Sequence, residues 1–352
     1  MAAGTRPPGR RRAGLTSQKS KFSWGRHRIL VTLLVLLGFA VSGCAGVVAY
    51  FLPAISAAIN ITGHKTGGHT GQVSTPTPSP GSGASSGSAF TVLLLGSDND
   101  TKFQADHVLT QTMILVRVNP QAHSVVMFSI PRDLWVPLSG GGSNKIDTAY
   151  SDGGAAEAIQ TVENNFGVQV NYWVWIGLGG LVRLVNDLGG VNVVAQMPIL
   201  DDEYPYDLGP GNPYAYDRVA VLPGPQRLNG VNALEYVRSR HGDVLSDIAR
   251  SQKQQQLLLD IKAAANTLGI ADIPTIASSL NNIVKTDMSL TQIGQLIPLA
   301  KAFKDGNVTE VVMDYSPYFS DVEVPTSYGY TDALQPNWTA IRGLAGQYFP
   351  IS

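Results

Sequence analysis

The predicted fold is organised around residues 235–254, which read Glu235-Tyr-Val-Arg238-Ser-Arg240-His-Gly-Asp243-Val-Leu-Ser-Asp247-Ile-Ala-Arg250-Ser-Gln-Lys253-Gln254. Arg238 and Arg240 are two residues apart, so an extended backbone would point both guanidiniums to the same side. Ser246 and Asp247 are typical of a helix start, and the apolar run that follows predicts the helix itself. On that helix, Asp247, Arg250 and Gln254 would share one face.

Three arginines of this segment and the predicted helix N-terminus would together suit an anion with several charges. The arginines are Arg238, Arg240 and Arg250. The N-terminus of a helix carries partial positive charge, and guanidiniums bind phosphate oxygens in pairs. The segment therefore predicts a site for an oxyanion such as a pyrophosphate. The alternative, a solvated helix in which Asp243 and Asp247 are salt-bridge partners, stays open at this point.

The charges of the chain are unevenly distributed. Of 25 basic residues, eight lie in residues 1–28, and the first of 26 acidic residues is Asp98. The remainder of the chain therefore carries 17 basic and 26 acidic side chains. A nucleic-acid-binding domain needs basic residues on its folded surface, so this balance argues against that class.

Residues 29–52 carry no charge and are long enough to cross a bilayer. We predict a basic cytoplasmic tail over 1–28, a transmembrane anchor over 29–52 and an extracellular remainder. One alternative is a cleaved signal peptide. Another is Val41-Ser-Gly-Cys44, which resembles a lipoprotein signal-peptidase site with Cys44 lipidated. The apolar run continues past Cys44, which favours an uncleaved anchor. Cys44 is the only cysteine, so no disulfide framework is predicted.

A flexible linker is predicted over residues 53–89, because residues 62–89 are mostly Gly, Ser, Thr and Pro. The linker contains Gly83-Ala-Ser85-Ser-Gly87, which formally matches the nucleophile elbow of a hydrolase. That elbow needs a strand before it and a helix after it, and this segment has neither. We therefore predict no serine nucleophile here.

Residues 90–318 are predicted to form the main folded domain, with residues 319–352 as a C-terminal extension packed on it. Apolar runs predict strands at 90–96, 112–118, 124–130, 172–176, 191–195 and 309–314. Helices are expected near 152–166, 181–188, 229–237, 247–268, 273–284, 289–304 and 338–347. Residues 198–228 are predicted to be a long surface loop. The alternation predicts an α/β fold, a layered α/β/α domain with a central mixed β-sheet.

Three further groups follow predicted strands or loops of this domain. Gly96-Ser-Asp98-Asn-Asp100 ends the first strand, where carboxylates are well placed to hold a hard cation. Arg132 of Ile130-Pro-Arg132-Asp133 ends another strand. Lys145 precedes the helix start at Gly153-Gly154, which would let it reach the same crevice. The alternatives are ordinary turn residues, a structural Arg132–Asp133 pair and a solvated lysine.

Carboxylates and guanidiniums in one crevice are the usual groups for transfer at phosphorus. The sequence has neither a phosphate-binding Gly-x4-Gly-Lys-Ser/Thr loop nor a His-Glu-x-x-His motif, which argues against an ATPase or a metalloprotease of that type. Outside the cell the substrate would need its own activated bond, as in a lipid-linked pyrophosphate. A prenyl chain would also need an apolar cleft, for which the candidates are Val162, Phe166, Val174, Ile176, Leu181 and Leu184.

Six motifs in order over residues 90–265 resemble the LytR-CpsA-Psr family. They are Leu93-Leu-Leu-Gly-Ser-Asp98, Ser129-Ile-Pro-Arg132-Asp133, Lys145-Ile-Asp-Thr-Ala149, Asp187-Leu-Gly-Gly-Val191, Leu228-Asn-Gly-Val-Asn-Ala-Leu234 and Arg238-Ser-Arg240…Asp247-Ile-Ala-Arg250…Lys253-Gln254. The basic tail, single membrane segment and external domain agree with that resemblance.

The resemblance implies a phosphotransferase that attaches a glycopolymer, such as teichoic acid or capsule, from an undecaprenyl-pyrophosphate carrier to peptidoglycan. Its partners would be the polyprenyl-pyrophosphate-linked polymer, the peptidoglycan acceptor and the membrane. The resemblance places the pyrophosphate on Arg132, Arg238, Arg240, Arg250 and Gln254, and Mg²⁺ or Mn²⁺ on Asp98. Lys145 is our additional pyrophosphate ligand.

One motif departs from the family pattern. Where the family has Arg-Ser/Thr-Asp-Thr-Met, this chain reads Leu109-Thr-Gln111-Thr-Met113. Gln111 offers an oxygen without charge, so we expect weaker metal binding, with Asp100 or Asp106 as substitute ligands. Two other functions therefore stay open: hydrolysis of the lipid pyrophosphate, and binding of prenyl phosphates without catalysis.

Overall fold

The computed structural model describes residues 88–97, 107–206, 208, 212, 215–239, 246–267, 284–289, 292, 293, 296, 307–327 and 329–350. The predicted cytoplasmic tail, the predicted anchor and nearly all of the predicted linker lie outside these residues. None of the helices within the described ranges is long and apolar enough to cross a membrane.

The described strands are β1 (Phe90–Ser97), β2 (Thr110–Asn119), β3 (Ser124–Ser129), β4 (Trp135–Pro137), β5 (Ser143–Lys145), β6 (Tyr172–Ile176), β7 (Val191–Ala195), β8 (Ile199–Pro205), β9 (Tyr216–Val221), β10 (Gly224–Leu228), β11 (Val284–Thr286), β12 (Val308–Val311), β13 (Phe319–Thr326) and β14 (Gly329–Pro336). The helices are α1 (Ala149–Phe166), α2 (Leu178–Asp187), α3 (Gly230–Arg238), α4 (Ser246–Asn266) and α5 (Trp338–Tyr348). Single helical turns span Ile146–Thr148 and Tyr315–Tyr318.

The central sheet has six strands in the order β11-β6-β1-β2-β3-β12. β1 pairs antiparallel with β2 and parallel with β6, and β3 pairs parallel with β12, so the predicted mixed sheet is confirmed. Val284 lies in β11, so the prediction of a helix over 273–284 is wrong at this residue. Residues 273–283 lie outside the described ranges.

One face of the sheet carries the larger core, in which α1 and α5 pack on β3. The ring of Phe128 lies edge-on to Phe166 and Phe349, with centroid distances of 6.3 and 5.8 Å. Val162 and Phe166 are 0% and 1% exposed in this core. The prediction that these two residues line a prenyl cleft is therefore wrong, because the apolar stripe of α1 is used entirely for packing on the sheet.

A second core forms where α3 and α4 meet two small antiparallel sheets, β7–β10 and β8–β9. Residues 198–228, predicted to be a surface loop, contain three of these four strands. β8 buries Ile199, Asp201 and Tyr204 and exposes Leu200 and Asp202. An aspartate at an inward position hid the strand pattern, since alternation is recognised by apolar residues.

The contact between α2 and α3 explains two of the glycine-containing motifs. Asn229 caps α3 by accepting a hydrogen bond from the backbone N–H of Asn232 at 2.9 Å. A Cβ on Gly230 would overlap the backbone carbonyl of Val182, so only glycine permits this approach of the two helices. Gly190, with a φ of 98°, turns the chain from α2 into β7.

Besides the packing of Phe349 on Phe128, hydrogen bonds attach the C-terminal residues to the domain through β14 and α5. The backbone N–H of Leu334 in β14 donates to the carbonyl of Asp133 at 2.8 Å. Arg342 of α5 donates through Nε to the carbonyl of Asn165 near the end of α1, at 2.7 Å. The extension before Trp338, where the sequence analysis predicted no strand, forms the β13–β14 hairpin.

Candidate functional site

Two adjoining cavities lie at the end of the central sheet that carries Gln111. The polar crevice is lined by residues of β2, β3, α4 and the C-terminal segment, namely Gln111, Ser129, Pro131, Arg132, Asp133, Ile248, Arg250, Ser251, Gln254, Val312, Met313, Tyr315, Phe319 and Leu334. The apolar cavity is larger, about 310 Å³, and Gln111 and Gln254 line it as well. The two cavities therefore meet at these two glutamines.

Arg132 and Lys145 are both held by Asp133. Arg132 Nε donates to Asp133 Oδ2 at 3.2 Å, and Lys145 Nζ lies 2.9 Å from Asp133 Oδ1. Lys145 is placed by the β4–β5 hairpin, in which it pairs with Trp135. The Arg132–Asp133 pair that the sequence analysis left open is thus present. Lys145 binds the same carboxylate. One carboxylate between two cations leaves a net positive charge at this wall.

The second wall is the N-terminal half of α4, where Arg250 and Gln254 lie one turn apart. The two residues are 5% and 9% exposed, and both line the polar crevice. The helix begins at Ser246, as the sequence predicts. Its position on the sheet is fixed by Gln255, whose Nε2 donates to Ser129 Oγ at 2.8 Å and to the carbonyl of Val311 at 3.0 Å.

Arg238 lines the apolar cavity, as Gln254 does. It is the last residue of α3 and its guanidinium carbon lies 5.8 Å from the centre of the Tyr204 ring. The prediction that Arg238 stands in an extended segment is wrong, because the apolar face of α3 carries the helix to this residue. Arg240 lies outside the described residues.

The apolar cavity is lined mainly by aliphatic side chains of β1, β2, β6 and α2–α4. Four of the six predicted cleft residues contribute: Val174, Ile176, Leu181 and Leu184. The sequence analysis missed the contribution of α4. Its signal was available, because Gln254, Leu257, Leu258 and Ile261 recur at the spacing of one helix face.

The charges around the two cavities favour an anion. Among the described residues that line them, three are arginines (Arg132, Arg238 and Arg250) and only Asp133 is acidic. The polar crevice encloses about 20 Å³, room for about one water. A diphosphate would therefore lie across its mouth, within reach of the side chains that line it.

The described residues do not by themselves form a Mg²⁺ site. They contain no cluster of three His, Cys, Asp or Glu side chains. Gln111 offers one neutral oxygen, whereas Mg²⁺ in proteins usually binds carboxylates and phosphates. The predicted ligands Asp98, Asp100 and Asp106 lie outside the described residues, so the metal site stays a prediction.

Proteins with similar sequences have been named as teichoic acid transferases. The chain is 29% identical over 209 residues to the polyisoprenyl-teichoic acid–peptidoglycan teichoic acid transferase TagU of Enterococcus faecalis, covering 59% of this chain and 64% of the relative. It is 31% identical over 211 residues to TagV of Bacillus subtilis, which bears the same transferase name, covering 58% and 51%. The chain thus spans about half to two thirds of the length of these relatives.

Solved structures share the fold. The crystal structure of B. subtilis TagV superposes with a TM-score of 0.61 at 24% identity, covering 76% of this chain and 99% of that one. TagT bound to LI-WTA superposes with a TM-score of 0.55 at 24% identity, covering 78% and 93%. The sequence also matches the LytR_cpsA_psr family over residues 55–340, which is most of its length. The chain is therefore a member of the LytR-CpsA-Psr family.

Proposed function

We propose that this protein is a glycopolymer–peptidoglycan phosphotransferase. Its substrate would be a glycopolymer carried on undecaprenyl pyrophosphate, and its acceptor a sugar hydroxyl of peptidoglycan. The names of TagU and TagV, teichoic acid transferases that use peptidoglycan, support this assignment. The predicted anchor over residues 29–52 would keep the domain at the outer surface of the membrane, near a lipid-linked substrate.

The observation that carries the proposal is the junction of the two cavities at Gln111 and Gln254. A lipid pyrophosphate has an anionic head joined to an apolar chain. The crevice offers Arg132 and Arg250 for the head, and the aliphatic cavity of about 310 Å³ offers room for the first part of the chain. Arg238, which lines the aliphatic cavity, would lie where head and chain join.

The reaction follows from this placement. The acceptor hydroxyl attacks the phosphorus bonded to the polymer, a new P–O bond forms, and the bridging P–O bond to the prenyl phosphate breaks. The hydroxyl proton is released, and the leaving prenyl phosphate takes up the electron pair. Guanidiniums fixed in the crevice would neutralise charge that develops on the phosphate oxygens. A bound Mg²⁺ would supply further neutralisation of the pyrophosphate.

The test uses the full chain in detergent with a fluorescent polyprenyl-pyrophosphate-linked glycopolymer. We expect a polymer–peptidoglycan product only when peptidoglycan fragments are added, with prenyl phosphate released in equal amount. Arg132→Gln should abolish the product, while Arg218→Gln, at a side chain that is 77% exposed in the β8–β9 hairpin, should not. Release of prenyl phosphate without acceptor would instead identify a hydrolase.

One observation favours binding without transfer as a second candidate. Gln111 lies at the junction of both cavities and carries no charge. If the protein only binds the carrier, it will retain the labelled lipid without forming product, and EDTA will not change the retention. Gln111→Asp would then be expected to create Mg²⁺-dependent transfer. Transfer by the natural chain rules this candidate out.

A further inference from the structure

Asp201 is a buried carboxylate that the mechanism above does not use. It is 1% exposed and lies on the inward face of β8 between Ile199 and Tyr204, which belong to the second core. A carboxylate among apolar side chains is costly unless it is hydrogen-bonded or paired with charge. An apolar residue would serve the packing of β8 better, so the aspartate points to another role.

A hydrogen bond connects Asp201 to Ser239, the residue before Arg240 in the sequence. Asp201 Oδ2 accepts from Ser239 Oγ at 2.7 Å, and Asp201 Oδ1 accepts from the backbone N–H of Glu203 at 3.0 Å. Ser239 stands between Arg238 and Arg240 in the sequence. The second of these bonds holds Asp201 on its own strand, so the first ties Ser239 to the β8–β9 hairpin.

Ser239 is held from two further directions. It is 1% exposed, and its backbone N–H donates to the carbonyl of Glu235 at 3.0 Å, which closes α3. Its carbonyl accepts from Lys253 Nζ of α4 at 3.3 Å. Ser239, which separates the two arginines in the sequence, is therefore fixed by β8, α3 and α4 together.

We propose that Asp201 is a positioning residue for the pyrophosphate site. Through Ser239 it fixes the backbone at the end of α3, and it thereby positions Arg238 against the apolar cavity. Hydrogen bonds behind binding side chains determine whether those side chains are held in the productive geometry. The inference rests on the proposed function, because it assigns Asp201 to the binding of the same pyrophosphate.

The test compares two prenyl probes on the full chain in detergent, geranylgeranyl pyrophosphate and geranylgeraniol. Both carry the apolar chain, but only the first carries a diphosphate. Asp201→Ala should raise the Kd for the pyrophosphate about tenfold or more, and change that for the alcohol less than about twofold. Asp202→Ala is the matched control, because this neighbouring side chain is 67% exposed and pairs with Arg218. It should change neither Kd.

A second variant distinguishes a loss of the hydrogen bond from a loss of folding. Ser239→Ala deletes the other half of the hydrogen bond, so it should weaken pyrophosphate binding alone, and the double variant should be no weaker than the weaker single one. Equal loss for both probes would show that Asp201 only supports the fold, and no loss for either would also overturn the inference. If the natural chain binds the alcohol as tightly as the pyrophosphate, the proposed function itself fails.

Discussion

At the scale of single residues, Arg250 is a buried cation of the proposed pyrophosphate site. The side chain is 5% exposed and lines the polar crevice. A guanidinium in this position is already desolvated, so a phosphate that reaches it loses little to competing water. Arginine is also favoured here because its planar fork binds two phosphate oxygens at once, which a lysine ammonium does not.

We expect Arg250→Gln to lower kcat/KM for polymer transfer about 100-fold, since removal of one fixed donor to a charged transition state typically costs that much. The measurement is product formation with peptidoglycan fragments, together with a thermal melt to verify folding. Arg218→Gln removes an exposed arginine, 77% accessible, and serves as the control. A change of less than about threefold in the Arg250 variant would contradict the assignment.

Glu163 provides a residue-scale prediction about pH. Burial raises the pKa of this carboxyl above its ordinary value of 4.5, and the hydrogen bond from the backbone N–H of Val170, at 2.8 Å, acts in the opposite direction. The folded state therefore binds this proton more tightly than the unfolded state does. The resulting stabilisation is present below pH 4.5 and is lost as the pH rises through the folded-state pKa.

Glu163→Gln keeps an oxygen for the Val170 hydrogen bond and removes the charge. We expect the variant to be at least as stable as the natural protein at pH 7 and to lose its advantage toward pH 4.5. Urea unfolding at both pH values measures the difference. Glu310→Gln, at an exposed carboxylate of β12, is the control. An advantage of Glu163→Gln that grows as the pH falls would reverse the assigned direction.

At the scale of elements, the contact between α2 and α3 determines the shape of the apolar cavity, which both helices line. Gly230 lies where α3 meets the carbonyl of Val182, and its backbone N–H donates to Asn186 Oδ1 at 2.8 Å. We expect Gly230→Ala to force the helices apart and to lower the free energy of unfolding by about 1–3 kcal/mol, the usual cost of overpacking.

Gly179→Ala is the matched control for that prediction. A Cβ at Gly179 in α2 would meet no atom within 4 Å. Because alanine is the better helix former, this substitution should leave the protein as stable or slightly more stable. Urea unfolding of both variants checks the pair, and equal stability of the two would show that the close approach of α2 and α3 is not needed.

Elements were predictable from the sequence where their own side chains carry the pattern. Continuous apolar runs placed β1, β2, β3 and β6, whose residues are all buried or half-buried. β8 was not recognisable, because its inward Asp201 is satisfied by Ser239, 38 residues away. The β13–β14 hairpin was also missed, since most of its residues are at least partly exposed and its position depends on contacts such as that of Leu334 with Asp133.

The candidate site was predictable in its chemistry and less so in its geometry. The sequence indicated arginines for a pyrophosphate, and Arg132, Arg238 and Arg250 do line two adjoining cavities. It did not indicate that Asp133 links Arg132 to Lys145. It also placed Phe166 in the cleft, because an apolar helix face does not reveal which side of the sheet it covers.

At the scale of the whole molecule, the proposed function requires that one ligand occupies both cavities at once. The central sheet separates the two kinds of apolar space. One face carries the aromatic core with α1 and α5, and the other face, through Leu94, Ile114 and Val174, is left to line the cavity with α2, α3 and α4. Binding of head and chain should then be cooperative through their covalent link.

Leu184→Trp tests this coupling, because it adds bulk to the apolar cavity from α2 and Leu184 does not line the polar crevice. We expect affinity for geranylgeranyl pyrophosphate to fall about tenfold, roughly the loss of one or two buried CH₂ groups, while affinity for inorganic pyrophosphate stays unchanged. Leu222→Trp, at a position that is 73% exposed, should change neither affinity. Both measurements use calorimetry on the full chain. If Leu184→Trp weakened the two ligands equally, the bulk would act by distorting the crevice, and the cavity would not be the site of the chain.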